Sequence, residues 1–123
     1  MAEFPRTEAD EQATETKVAG LEDLVTAPTA LEVPGQPRSL EAPHRGWGWI
    51  FLDWKKPADG GDIAAYKIER RERPSGDWIL VSMAIESEAT LNNQERGKDF
   101  EYRIIATNKA GEGTPSNTVA AVL

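Results

Sequence analysis

The sequence predicts an all-β fold, an antiparallel sandwich of short strands, and three observations predict it. From Pro37 onward apolar residues recur with a period of two, the period of a strand with one buried face. Gly, Pro, Asn and Asp clusters break these runs about every ten residues. The stretch 37–123 is also long enough to bury a self-sufficient core without disulfides, and the chain holds no cysteine.

Residues 1–36 are of a different kind. They carry eight acids (Glu3, Glu8, Asp10, Glu11, Glu15, Glu22, Asp23, Glu32) against Arg6 and Lys17. That leaves 13 of the 21 acids and 12 of the 14 bases to residues 37–123, so the net charge of −7 belongs almost wholly to the N-terminal segment. Two readings stand for it. One is a flexible acidic linker or the stump of a preceding domain. The other is a short helix, capped near Thr7–Asp10, with Ala13, Val18, Leu21 and Val25 at helical spacing and Gly20 interrupting it. Pro28, Pro34 and Pro37 punctuate the connection, and the domain boundary is placed between residues 36 and 37.

The strands then follow in order. Ser39–Ala42 is a weak first strand, and Trp49–Trp54 a strong second with Ile50, Leu52 and Trp54 on its core face. The turn Lys56–Asp62 leads to a third strand over Ala65–Arg71, with Tyr66 and Ile68 inward and Lys67, Glu69 and Arg71 outward. Alternating charge on that outer face reads as solubility and edge protection. Arg73–Asp77 turns into a fourth strand, Trp78–Met83, whose Trp78 is assigned to the core. Ala89–Asn92 is a short fifth strand contributing Leu91. Asp99–Asn108 is the sixth, with Phe100, Tyr102, Ile104 and Ala106 sharing a face. After a loop over Asn108–Gly113, Ser116–Val122 closes the set as the seventh.

The ordered features of residues 36–123 resemble the fibronectin type III family. Trp54 with Pro57 is similar to the family's second-strand tryptophan, and Tyr66-Lys67-Ile68 to its third-strand Y-x-V/I. Tyr102–Asn108 with Gly111, Gly113 and Ser116 resembles the sixth strand and the loop after it. The resemblance implies a seven-stranded Greek-key sandwich of immunoglobulin-like, fibronectin type III topology. Its flavour is shared by muscle-filament modules and bacterial versions, and the bacterial version is the expectation carried forward. Two positions depart from the family pattern: Phe100 stands where a tyrosine is usual and Gln94 where a leucine is. Without that tyrosine hydroxyl the corner must be held by packing or by another donor, at a cost of about 1 kcal/mol. The loop Lys109–Gly113 lacks the Arg-Gly-Asp of integrin-binding relatives.

No constellation for catalysis emerges. His44 is the sole histidine: a zinc site would need carboxylates for nearly every ligand, and a Ser-His-Asp triad would have to recruit this one residue, while no serine sits in a Gly-x-Ser-x-Gly elbow. Asp59 and Asp62 read as solvated turn residues rather than calcium ligands. Gly46-Trp47-Gly48 and Gly111-Glu112-Gly113 are turn glycines that open no helix. No enzyme activity, metal or cofactor is expected. With no basic stripe and no apolar run of about 20 residues, neither nucleic acid nor a membrane is an expected partner.

One feature exceeds a scaffold. If Ile50, Leu52 and Trp54 face the core, Trp49 and Phe51 face out, with Trp47 beside them. Such a face needs a cover or a partner. Three readings compete: cover by the N-terminal segment through Leu21, Leu24, Leu31 or Val33; a protein partner; or a sugar stacked on the rings. The expectation is a monomeric, non-catalytic module for protein contact or spacing in a larger assembly. The loops Lys55–Asp62 and Asn108–Ser116 are further candidate contact points. The alternative is an ancillary domain of a secreted bacterial polysaccharide-degrading enzyme.

Overall fold

The computed structural model describes residues 31–123. The N-terminal readings, including Leu21 and Leu24 as a cover, lie outside them. Strands in chain order are β1 (Arg38–Gly46), β2 (Trp49–Lys55), β3 (Ala65–Glu72), β4 (Ile79–Ala84), β5 (Glu88–Leu91), β6 (Asp99–Asn108), β7 (Gly111–Glu112) and β8 (Val119–Val122). Every pairing is antiparallel. One sheet runs β1-β2-β5 and the other β4-β3-β6, with β7 and β8 both on the far edge of β6.

Eight strands replace the expected seven because Gly111–Glu112, in the expected loop, pairs with Thr107 and Asn108, while the expected last strand shortens to Val119–Val122. Between β7 and β8 lie Gly113 to Thr118, where Pro115 has no N–H to donate. Two single bonds carry the segment along β6 instead: Gly113 N–H to the Ala106 carbonyl (2.9 Å) and Ser116 N–H to the Ile104 carbonyl (2.8 Å). Ser116 Oγ accepts the Ile104 N–H at 2.9 Å. β1 runs four residues past its expected end, because the Trp47-Gly48 hairpin keeps it paired with β2 to Gly46↔Trp49. Irregularities on either side of Glu41 absorb Ser39, at φ 55°, and Pro43.

The core lies between the sheets. Ile50, Leu52 and Trp54 enter from β2, Tyr66 and Ile68 from β3, Leu91 from β5, and Phe100, Tyr102 and Ile104 from β6. Leu40, Ala106, Ala121 and Leu123 complete it. The Trp54 and Tyr66 rings meet edge to face, 5.3 Å apart.

Trp78 is not in this core. β4 pairs with β3 so that Leu80 opposes the outward Glu69, and Trp78, two residues earlier, falls on the same outer face. Inward, that end of the sheet is filled by the Arg70 guanidinium over the Phe100 ring, 4.1 Å from its centroid. Trp78 lies half-buried outside, with the Arg71 and Arg103 guanidinium carbons 4.8 and 4.2 Å from its ring centroid.

β1 is an edge strand, and a side chain closes its approach to β8. Asn117 Oδ1 accepts the Leu40 N–H at 2.9 Å, and Asn117 Nδ2 donates to the Leu40 carbonyl at 3.0 Å. One carboxamide thus imitates a strand partner for a buried core residue. Asn117→Ala is expected to cost about 1–3 kcal/mol, read as a lower urea midpoint with unchanged slope. An unchanged midpoint would show that water replaces both bonds.

Candidate protein-contact surface

The outer face of the smaller sheet is set by register. Phe51 of β2 lies opposite His44 of β1 and Thr90 of β5, and one level away Trp49 lies opposite Gly46. Trp49 is 36% exposed and Phe51 half-buried. The His44 ring tilts at 39° to Phe51 with centroids 6.0 Å apart. A Cβ on Gly46 would collide with the Trp49 indole, so the glycine is what lets this ring lie flat along β1. Trp47, at the hairpin tip before Gly48 (φ 76°), is 81% exposed, with the Arg96 guanidinium 4.4 Å from its ring centroid. Trp49 and Phe51 therefore share one face of the sandwich, with Trp47 at the hairpin tip next to them.

The level beyond Phe51 is acidic. Asp53 opposes Glu41 on one side and Glu88 on the other, which makes a row of three carboxylates across the sheet. The larger sheet's outer face is the opposite case. Lys67 bonds Glu112, Arg71 Nε bonds Glu101 at 2.6 Å, and Arg103 Nη2 lies 2.8 Å from Glu69. The Arg71 bond, opposed in part by burial, holds the Glu101 carboxyl below its usual range. This face neutralises its own charge.

Leu31 and Val33 do not cover the aromatics. They belong to a segment engaged at the other end, where Gly61 N–H donates to the Val33 carbonyl (3.0 Å) and Pro34 bridges to Gly60. Asn108 Nδ2 donates to the Glu32 carbonyl at 2.7 Å and Gln36 Nε2 to the Pro115 carbonyl at 2.8 Å. Side chains at Gly60, Gly61 or Gly113 would strike this segment's backbone. The loops expected to be open for contact are therefore partly occupied by the chain's own residues 32–36. Among the described residues, no three His, Asp or Glu side chains converge on a point suited to a metal ion.

The model of the fibronectin type III domain matches residues 35–122. The chain belongs to that family. A titin homologue of Caenorhabditis elegans is 28% identical over 118 residues, covering 90% of this chain and 1% of that protein. Human slow-type myosin-binding protein C is 33% identical over 104 residues, covering 81% of this chain and 8% of that protein. Among solved structures, the twitchin kinase region of C. elegans superposes with a TM-score of 0.69 at 30% identity, covering 72% of this chain and 16% of that one. The chain thus spans a small fraction of its relatives' lengths. These relatives are animal proteins, so the expected bacterial version of the domain, and with it the bacterial-enzyme alternative, finds no support.

In this fibronectin type III domain the missing corner hydroxyl is supplied from a neighbouring position. Tyr102, two residues after Phe100, donates its hydroxyl to Gln94 Oε1 at 2.8 Å. The same oxygen accepts Arg70 Nη1 at 2.9 Å. Gln94 Nε2 donates to the Asn92 carbonyl at 3.2 Å, and Gln94 N–H to the Gly48 carbonyl at 2.8 Å. Both departures from the family pattern belong to one arrangement, in which the glutamine provides the acceptor that a leucine could not. Burial raises the Tyr102 phenol above its ordinary range, and Arg70 partly offsets this. The sequence flagged both positions but not their coupling, because the link runs through Tyr102 on β6 and Arg70 on β3.

Proposed function

We propose that this fibronectin type III domain is a monomeric, non-catalytic module that binds a protein partner through the outer face of the β1-β2-β5 sheet. The observation that carries the reading is the set Trp47, Trp49 and Phe51, three aromatic side chains outside the core, two on this face and Trp47 at the adjoining hairpin tip. Interface cores are enriched in such residues, and few of them carry most of the binding energy. The only histidine, His44, lies exposed on this face beside Phe51, a packing role rather than a catalytic one. The self-neutralised outer face of the larger sheet offers less to a partner, since its charges already satisfy one another.

Trp49→Ser tests this in quantitative pull-down from the tissue of origin. The ring is partly exposed, so the variant should melt within a few degrees of the parent while recovery of at least one interactor falls about tenfold or more. Equal recovery of every interactor defeats the reading.

A further inference from the structure

We propose that the partner presents a basic, extended segment to this face, its Lys or Arg heads over the row Glu41, Asp53, Glu88 and its aliphatic stems against Phe51 and Trp49. The inference rests on the reading above and adds the partner's chemistry. Glu41 opposes Asp53, and Asp53 opposes Glu88. Like charges directly opposite on adjacent strands destabilise a sheet, so the row is a local cost to the fold. Among the described residues none of the three carboxylates has an ion-pair partner, although three acids of the other sheet's outer face do. Arg38, nearest along β1, gives its Nε to the Lys56 carbonyl at 2.9 Å. Lys55, two residues beyond Asp53, is exposed and forms no ion pair among the described residues.

The geometry selects the kind of cation. The carboxylates do not converge as metal ligands would. They follow one another at the inter-strand spacing, about 5 Å per step. A line of that kind suits successive cations on one chain better than a single ion. The adjoining Phe51 and Trp49 rings provide the apolar ground on which Lys and Arg stems pack and toward whose faces their charges are drawn.

The test titrates the full-length, ¹⁵N-labelled chain with deca-lysine, and with deca-glutamate as control. The largest amide shifts should fall on Glu41, His44, Phe51, Asp53, Glu88 and Thr90, and should weaken with added salt. The variant Glu41→Gln/Asp53→Asn/Glu88→Gln should bind deca-lysine about tenfold more weakly while melting at or above the parent temperature, which separates lost binding from lost folding. Shifts confined to residues 1–30, or equal binding by the triple variant, overturn the inference. If the triple variant binds equally but Trp49→Ser still loses its interactor, only the basic partner falls and the contact face stands. If Trp49→Ser loses nothing, both fall.

Discussion

Replacing Trp54 by alanine is expected to lower the unfolding free energy by about 3–5 kcal/mol, the range for emptying a large aromatic site. Trp54 is 4% exposed and packs edge to face on Tyr66, so both its apolar burial and a ring–ring contact are lost. Domains of this size are stable by about 5–15 kcal/mol, so the variant should be markedly closer to unfolding at room temperature. Trp54→Phe should behave differently. The indole Nε1 is buried and has no hydrogen-bond partner, and phenylalanine removes that unsatisfied donor while keeping most of the ring. Its loss should stay below about 2 kcal/mol. Urea titration followed by tyrosine and tryptophan fluorescence measures both. Equal losses for the two variants would mean that the indole N–H has a partner in solution.

Gln94→Leu, the change that restores the usual family residue, should destabilise this chain by about 2–3 kcal/mol. In isolation the exchange looks favourable, since it buries an apolar side chain. Here it removes the one oxygen that accepts both the Tyr102 hydroxyl and Arg70 Nη1. Arg70 Nε is already buried without a partner, so the guanidinium would have little left to bond. The test is a double-mutant cycle with Tyr102→Phe. Coupling of about 1 kcal/mol or more, with the double variant more stable than Gln94→Leu alone, supports the network. Additive losses would show that hydroxyl and carboxamide act independently.

How much of this was legible in the sequence depended on whether a feature is local. β6 was read to the residue, because Phe100, Tyr102, Ile104 and Ala106 alternate without interruption between clear turns. The outward placement of Trp49 and Phe51 followed from the same rule applied to β2. Trp78 was misplaced because parity within β4 has no meaning until β4 is paired. Its register with β3 slips by one residue near Val81, and no local pattern announces that. The acidic row was invisible for the same kind of reason. Glu41, Asp53 and Glu88 are far apart in sequence, and only the two pairings of β2 make them neighbours. The last strand was half legible: it was expected from Ser116, but Ser116 and Asn117 instead bond β6 and β1 through their side chains and the strand begins at Val119.

The chain enters this domain beside Gly60 and leaves it beside Asp99, at opposite ends of β6. A pull applied through both termini would therefore run along the long axis of the sandwich, with β1 and β8 as the first load-bearing strands. The link between them near the entry is the Asn117 carboxamide on Leu40, and near the exit the Arg45 guanidinium on the Ala120 carbonyl. Sliding β1 past β8 would load these side-chain bonds, two on Asn117 and one on Arg45, rather than a backbone ladder.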